Sequence, residues 1–176
     1  MKVPVSGLDP LRAALAELGA QRVEPATFED NVILDDSAGT LAAAGRLLRL
    51  RRWGAVATLT YKGPATFAGG VKHRQELETE VADLEATLAI LATLGWSPIR
   101  RYQKRREAWQ AGAVQVALDE TPIGYFVELE GDEGALRDLA PRLGLDPARA
   151  ARGTYLDLWN EWRAHHPEAG PDMVFP

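Results

Sequence analysis

The 176-residue chain contains no cysteine, which excludes a disulfide framework, a thiolate metal centre and a cysteine nucleophile. Histidine is almost as scarce, with three residues. His165 and His166 are adjacent near the end and read as solvated, and His73 reads as a packed or surface side chain. No apolar run approaches the length needed to span a bilayer, and the opening Met1-Lys2-Val3-Pro4-Val5 lacks the apolar core of a signal peptide. A cytoplasmic protein with no membrane partner is the expectation. Positive charge is in deficit: the formal net charge of -5 argues against general binding to nucleic acid, because proteins that neutralise many phosphates usually present a net basic domain. Cations that matter must therefore be concentrated locally. The remaining composition, 46% hydrophobic and 26% charged, is ordinary for a globular protein, and the length fits one domain with a substantial core. That domain is expected over residues 1–166, with 167–176 a flexible tail.

The local concentration lies in residues 46–80, which read R-L-L-R-L-R-R-W-G-A-V-A-T-L-T-Y-K-G-P and then K-H-R-Q-E-L-E-T-E. Successive strand residues alternate faces, so Arg49 and Arg51 share a face, as do Thr58, Thr60 and Lys62, and as do Lys72, Arg74, Glu76, Glu78 and Glu80. The opposite positions, Leu48, Leu50, Leu59, Tyr61 and Leu77, are apolar or neutral, the pattern of a sheet with one packed face and one polar face. Solubility alone intersperses signs. Here two strands offer only cations and a third mixes cations with a row of carboxylates. Such blocks suit a polyphosphate with its metal ion: Arg and Lys for the oxygens, carboxylates for Mg²⁺ or Mn²⁺.

The remaining chain reads as a first strand over 1–5, a helix to about Leu18, and a strand over 22–36 with Glu29, Asn31 and Asp35 on one face. Residues 37–45 suit a short helical turn, and 65–70 a glycine-bearing mobile loop. An amphipathic helix over 83–94 carries Leu84, Leu88, Leu91 and Leu94 along one side, with Asp83 at its start. Residues 96–109 resume strand character with a dense basic run. In it Lys104 and Arg106 face one way, Arg101 and Arg105 the other. Two further strands follow, then helices over 133–143 and 154–165. About eight antiparallel strands with one charged face can curl so that this face lines a lumen and the helices pack outside.

The segments L-R-L-R at 48–51, L-T-Y-K-G-P at 59–64, R-Q-E-L-E at 74–78, Y-Q-K-R-R-E-A-W at 102–109 and L-D-E-T-P-I-G-Y-F-V-E-L-E-G at 118–131 resemble, in this order, the CYTH family of triphosphate tunnel metalloenzymes. That family includes class IV adenylate cyclases, thiamine triphosphatases and inorganic triphosphatases. The resemblance implies an α+β fold, a closed eight-stranded antiparallel β-barrel or tunnel with helices outside. It implies that Lys2, Arg49, Arg51, Lys62, Arg74, Lys104 and Arg106 grip a triphosphate. Glu76, Glu78, Asp119, Glu128 and Glu130 are its implied metal ligands, with Asp119 and Glu78 the carboxylates expected to be catalytic. Mg²⁺ or Mn²⁺ is the implied cofactor, and ATP, thiamine triphosphate or inorganic triphosphate the implied substrate. Related cyclases pair, so a homodimer is the expected assembly, although no apolar patch in the sequence demands it.

Of the family's branches, the class IV cyclases sit closest, where a ribose 3'-hydroxyl attacks the α-phosphorus and pyrophosphate leaves. A triphosphatase would direct water at the terminal phosphorus, and the same fold serves either reaction. One departure bears on this. The family's first strand begins Glu-x-Glu-x-Lys, Lys2 falls at the lysine, and the glutamate pair would lie ahead of Met1. The alternative expectation is therefore a polyphosphate- or nucleotide-binding module without turnover. Tyr155 reads either as closing one tunnel mouth or as a core residue, and the five tryptophans read as packing.

Overall fold

The computed structural model describes residues 1–68 and 71–176, without the side chains of residues 67, 68 and 71–73. The readings made above of Lys72, His73 and the glycines at 69 and 70 lie outside the described residues. The strands are β1 (Lys2–Val5), β2 (Gln21–Asp35), β3 (Leu47–Trp53), β4 (Val56–Lys62), β5 (Thr66–Ala68), β6 (Val71–His73), β7 (Glu76–Glu80), β8 (Ser97–Ala111), β9 (Val114–Thr121) and β10 (Gly124–Glu130). The helices are α1 (Asp9–Glu17), α2 (Thr40–Ala43), α3 (Leu84–Thr93), α4 (Glu133–Arg142) and α5 (Tyr155–Arg163), with a short 3-10 turn at Pro147–Arg149. Eight strands form one antiparallel sheet in the order β1-β10-β9-β8-β2-β3-β4-β7, and β5 pairs with β6 as a separate hairpin. Among the described residues the ladder ends in β1 and β7 and is not closed by hydrogen bonds, so the closed barrel expected from the sequence is not what the backbone pairing displays.

The chain divides into two compact units, Met1–Phe28 with Gln103–Pro176, and Glu29–Tyr102. In the first, α1 and α4 cover one face of the β1-β10-β9-β8 sheet. Alternation sends Val3, Val116, Leu118, Val127 and Leu129 to that face, where they meet Leu11, Leu15, Leu139 and Ala140 in a continuous buried cluster. Each such side chain stabilises by about 1.5–3 kcal/mol when removed from water. The opposite face carries Lys2, Lys104, Arg106, Asp119 and Glu128. Glu107, on the packed side, is buried but satisfied: it accepts from Arg12 Nε at 2.8 Å and Trp109 Nε1 at 3.0 Å, which ties α1 to β8.

The tail is not loose. Met173 is fully buried, its carbonyl accepts from the Gln103 backbone N–H at 2.8 Å, Phe175 N–H donates to Gln103 Oε1 at 3.2 Å, and Trp159 Nε1 donates to the Pro171 carbonyl at 3.1 Å. This short polar-looking segment, expected from sequence to be a flexible tail, carries one apolar anchor that occupies a core position. His166 likewise departs from its solvated reading. Its ring stacks on Trp162 at 3.6 Å between centroids, and its Nδ1 lies 2.8 Å from the Trp162 carbonyl.

In the second unit, residues 29–34 of β2 pair with β3, β3 with β4, and β4 with β7, so each charged row meets the next in register. Leu34 and Leu50 are buried on the other face. Asp35 caps the α2 turn, accepting from the N–H groups of Leu41 at 3.0 Å and Ala42 at 2.9 Å. Asp83 caps α3 as expected, through Ala86 N–H at 2.9 Å. The apolar stripe of α3 is only half-buried at Leu84, Leu88 and Leu91, while Leu94 and Ile90 are 69% and 60% exposed.

Candidate active site: two clusters of cations and carboxylates

The first cluster lies in the second unit. The register sets Arg49 opposite Thr60, Arg51 opposite Thr58, Thr60 opposite Glu78, and Lys62 opposite Glu76. Lys62 Nζ is 2.8 Å and 2.9 Å from the two oxygens of Glu76. Glu78 accepts from Thr60 Oγ1 at 2.6 Å and faces Arg51 at 3.4 Å and Arg49 at 3.8 Å. The Thr60 hydroxyl is the largest influence on this carboxyl, partial burial opposes it, and Arg51, Arg49 and Lys62 add their charge, so Glu78 titrates below its ordinary value. Arg49 itself is poorly satisfied. Its Nη atoms find Tyr102 Oη and Thr60 Oγ1 only at 3.4 Å each, and its buried Nε has no acceptor among the described residues. A guanidinium so placed is a donor fork waiting for an anion.

Arg74 departs from expectation. The predicted single strand through 72–80 is split, with β6 ending at His73 and β7 starting at Glu76. Arg74 falls in the bend, where its Nε donates to the Gly63 carbonyl at 2.7 Å and its Nη2 to the Gly45 carbonyl at 3.3 Å. Thr58, Thr60 and Tyr102 were not assigned a site role from sequence. Their position opposite Arg51, opposite Arg49 and beside Arg49 is a matter of register, which alternation alone does not supply.

The second cluster lies in the first unit and centres on Asp119, whose side chain is fully buried. Arg106, directly opposite on β8, grips it bidentately at 2.7 Å and 2.6 Å and also reaches Glu128. Lys104 Nζ is 3.4 Å from Asp119 Oδ2, and Tyr155 Oη donates to the same oxygen at 2.6 Å. Burial opposes ionisation of Asp119, but Lys104, Arg106 and the Tyr155 hydroxyl outweigh it and hold the carboxyl down to about 2. Glu128 follows the same logic: burial raises it, Arg106 and Lys104 bring it below its ordinary range, with neighbouring Asp119 working against them. Lys2 lies 3.3 Å from Glu128, and its ammonium sits 3.8 Å from the centre of the Tyr155 ring. The Tyr155 phenol is pushed strongly up by burial and by these two carboxylates.

Of the expected site residues, Arg49, Arg51, Lys62, Glu76 and Glu78 come together in one cluster, and Lys2, Lys104, Arg106, Asp119 and Glu128 in the other. Glu130 is exposed at the end of β10 opposite Gln115. Arg105 pairs instead with Glu120 and Arg101 with Asp30, as their alternation predicts. Among the described residues no three carboxylate or imidazole groups stand close enough to hold one metal ion. The donor set suits an ion that takes only one or two protein carboxylates and completes its shell with water and phosphate, as Mg²⁺ does. Glu128, beside Asp119 and partly open, is the carboxylate that fits.

The chain is 29% identical over 170 residues to "Adenylate cyclase CyaB" of Aeromonas hydrophila, an alignment covering 89% of this chain and 85% of that protein. Its fold is similar to that of a Vibrio parahaemolyticus protein, with a TM-score of 0.76 at 21% identity covering 91% and 95% of the two chains. It is similar too to HpAC1 from Hippeastrum, for which a dominant triphosphatase activity is reported, with a TM-score of 0.68 at 17% identity covering 92% and 94%. The CYTH domain model matches residues 1–140, which include strands of both units and both cation clusters. The chain belongs to the CYTH domain family.

Proposed function

We propose that this protein is a metal-dependent enzyme of the cytoplasm that acts on a triphosphate, converting ATP to cyclic AMP and pyrophosphate or hydrolysing an organic or inorganic triphosphate such as thiamine triphosphate or tripolyphosphate. The observation that carries this reading is Arg49, a largely buried guanidinium whose Nε lacks an acceptor among the described residues and whose other contacts are long. Phosphate oxygens would complete it. Arg51, Lys62, Lys104, Arg106 and Lys2 are the other cations assigned to the substrate, and each already stands against a carboxylate or hydroxyl that fixes its direction. Arg74, although bonded to backbone carbonyls, keeps part of its guanidinium exposed and is retained at the edge of this set.

In the first unit a divalent ion, Mg²⁺ or Mn²⁺, would be held through Glu128 with support from Glu130, and in the second unit Glu76 and Glu78 are the carboxylates assigned to such an ion; the ion would neutralise charge on the phosphoryl oxygens. The chain's own residues then bind and orient: guanidinium forks match phosphate oxygens bidentately, and catalysis comes from positioning and charge stabilisation without a covalent nucleophile. Asp119 and Glu78 hold the cations at their stations. The family likeness to a named adenylate cyclase favours cyclisation, while the triphosphatase activity of HpAC1 keeps hydrolysis beside it. A second reading, binding of polyphosphate without turnover, is favoured by the lack of three converging carboxylates among the described residues. Calorimetry with tripolyphosphate, with and without EDTA, separates them when joined to an assay of turnover. Binding with metal-dependent turnover supports the enzyme, and binding unaffected by EDTA with no turnover in either metal supports the module. A homodimer is the proposed assembly, checked by sedimentation velocity.

A further inference from the structure

We propose that Tyr155 is a positioning residue of the Asp119 cluster: its hydroxyl completes the set of donors that pins Asp119, and through Asp119 it fixes the directions of Lys104 and Arg106. The consequence for phosphate binding rests on the function proposed above. The geometry does not.

An ionised carboxylate offers about four acceptor positions on its two oxygens. On Asp119, Oδ1 accepts from Arg106 Nε at 2.7 Å, and Oδ2 accepts from Arg106 Nη2 at 2.6 Å, Tyr155 Oη at 2.6 Å and Lys104 Nζ at 3.4 Å. Four donors thus converge on this carboxylate, three of them on Oδ2. Asp119 is therefore an anchor for two cations, and Tyr155 is its one neutral side-chain donor among the described residues. The Tyr155 ring has a second task. Lys2 lies 3.8 Å and Lys104 5.0 Å from its centre, close enough for both ammonium groups to feel the negative face of the ring, while Phe126 meets it edge-on at 5.3 Å.

Tyr155 lies beyond the residues matched by the family model, in a segment whose attachment is specific. It is the first residue of α5, and the Thr154 side chain and Asp157 cap that helix reciprocally. Gly153 precedes them at φ +87°, and a Cβ there would stand 2.7 Å from Asp157 Oδ2. The Gly153 carbonyl faces Lys2 Nζ at 3.4 Å, and the Ala151 N–H donates to the Lys2 carbonyl at 2.7 Å. The segment therefore reaches the cluster at two points, Lys2 and Asp119, and a packing role for Tyr155 would require neither.

The test uses the full chain and Tyr155→Phe, which keeps the ring and deletes the hydroxyl. Side-chain NMR of Lys104 Nζ and Arg106 Nε should show shifted, broadened signals in Tyr155→Phe while the Lys2 signal stays near its wild-type position. Tyr155→Leu should move Lys2 as well. Affinity for inorganic tripolyphosphate in EDTA should fall by about fivefold in Tyr155→Phe, the scale of one net hydrogen bond. Should that variant fail to fold, Gly153→Ala keeps the phenol and strains the Asp157 cap of its helix, and the Lys104 and Arg106 signals should shift there too. Unchanged Lys104 and Arg106 signals in folded Tyr155→Phe overturn the proposal. If wild-type protein binds no tripolyphosphate, the substrate reading fails, and the NMR comparison still decides the role of Tyr155.

Discussion

Thr60 Oγ1 donates to Glu78 Oε2 at 2.6 Å across the β4–β7 pair that sets these residues opposite one another. The hydroxyl is the largest influence holding that carboxyl below its ordinary value. Removing it in Thr60→Val should raise the Glu78 titration midpoint and release the carboxylate toward Arg49 and Arg51. Carbon-13 titration of the glutamate side chains reads this directly, and an unmoved Glu78 midpoint would count against the contact.

Arg49→Ala should weaken tripolyphosphate binding by about tenfold or more, since a charged hydrogen-bond donor is worth about 1.5–3 kcal/mol. Its loss should cost little stability, because the guanidinium is under-satisfied to begin with. Lys62→Ala should weaken binding less, its ammonium being partly open and already paired with Glu76. Calorimetric titration with parallel melting curves checks both. Equal losses of stability and binding would indicate a structural network instead.

Asp119→Asn should destabilise the fold by about 3–5 kcal/mol, because it removes the buried carboxylate that pairs with both Lys104 and Arg106. Urea unfolding measures this. Glu130→Gln, at an exposed strand end, should leave stability within about 0.5 kcal/mol of wild type and chiefly lower metal-dependent turnover.

Asp119→Asn also tests a pH dependence. Asp119 titrates at about 2 in the folded chain against an ordinary 3.8, so its contribution is fully present above about pH 4 and is lost as pH falls toward 2. The difference corresponds to about 2 kcal/mol. Stability of wild type relative to Asp119→Asn should therefore be constant from pH 7 to about 5 and shrink steadily below 4. A gap that widens on acidification would reverse the sign and contradict the pairing.

Much of the candidate site was legible because strand alternation is a local property. Arg49 with Arg51, Lys104 with Arg106, and Arg101 with Arg105 fall on the faces that counting predicts. Pairing between strands is not local, so Thr60 opposite Glu78 and Asp119 opposite Arg106 had to come from the register. Arg74 misled because R-Q-E-L-E continues the alternation through a bend that only the β5–β6 hairpin reveals. Barrel closure came from family resemblance, and the hydrogen-bonded ladder stops at β1 and β7. Tyr155 could be read two ways because its partner, Asp119, is 36 residues away in sequence. Met173 shows the same gap: nothing local marks a single methionine as an anchor for the tail.

The most direct test of the central claim is product identification by phosphorus NMR after incubating the protein with ATP, thiamine triphosphate and tripolyphosphate, each in Mg²⁺, in Mn²⁺ and in EDTA. The account predicts turnover of at least one of them with metal and none with EDTA, cyclic AMP with pyrophosphate marking a cyclase and orthophosphate a triphosphatase. Intact substrates under every condition, with folded protein and no tripolyphosphate binding, would contradict it.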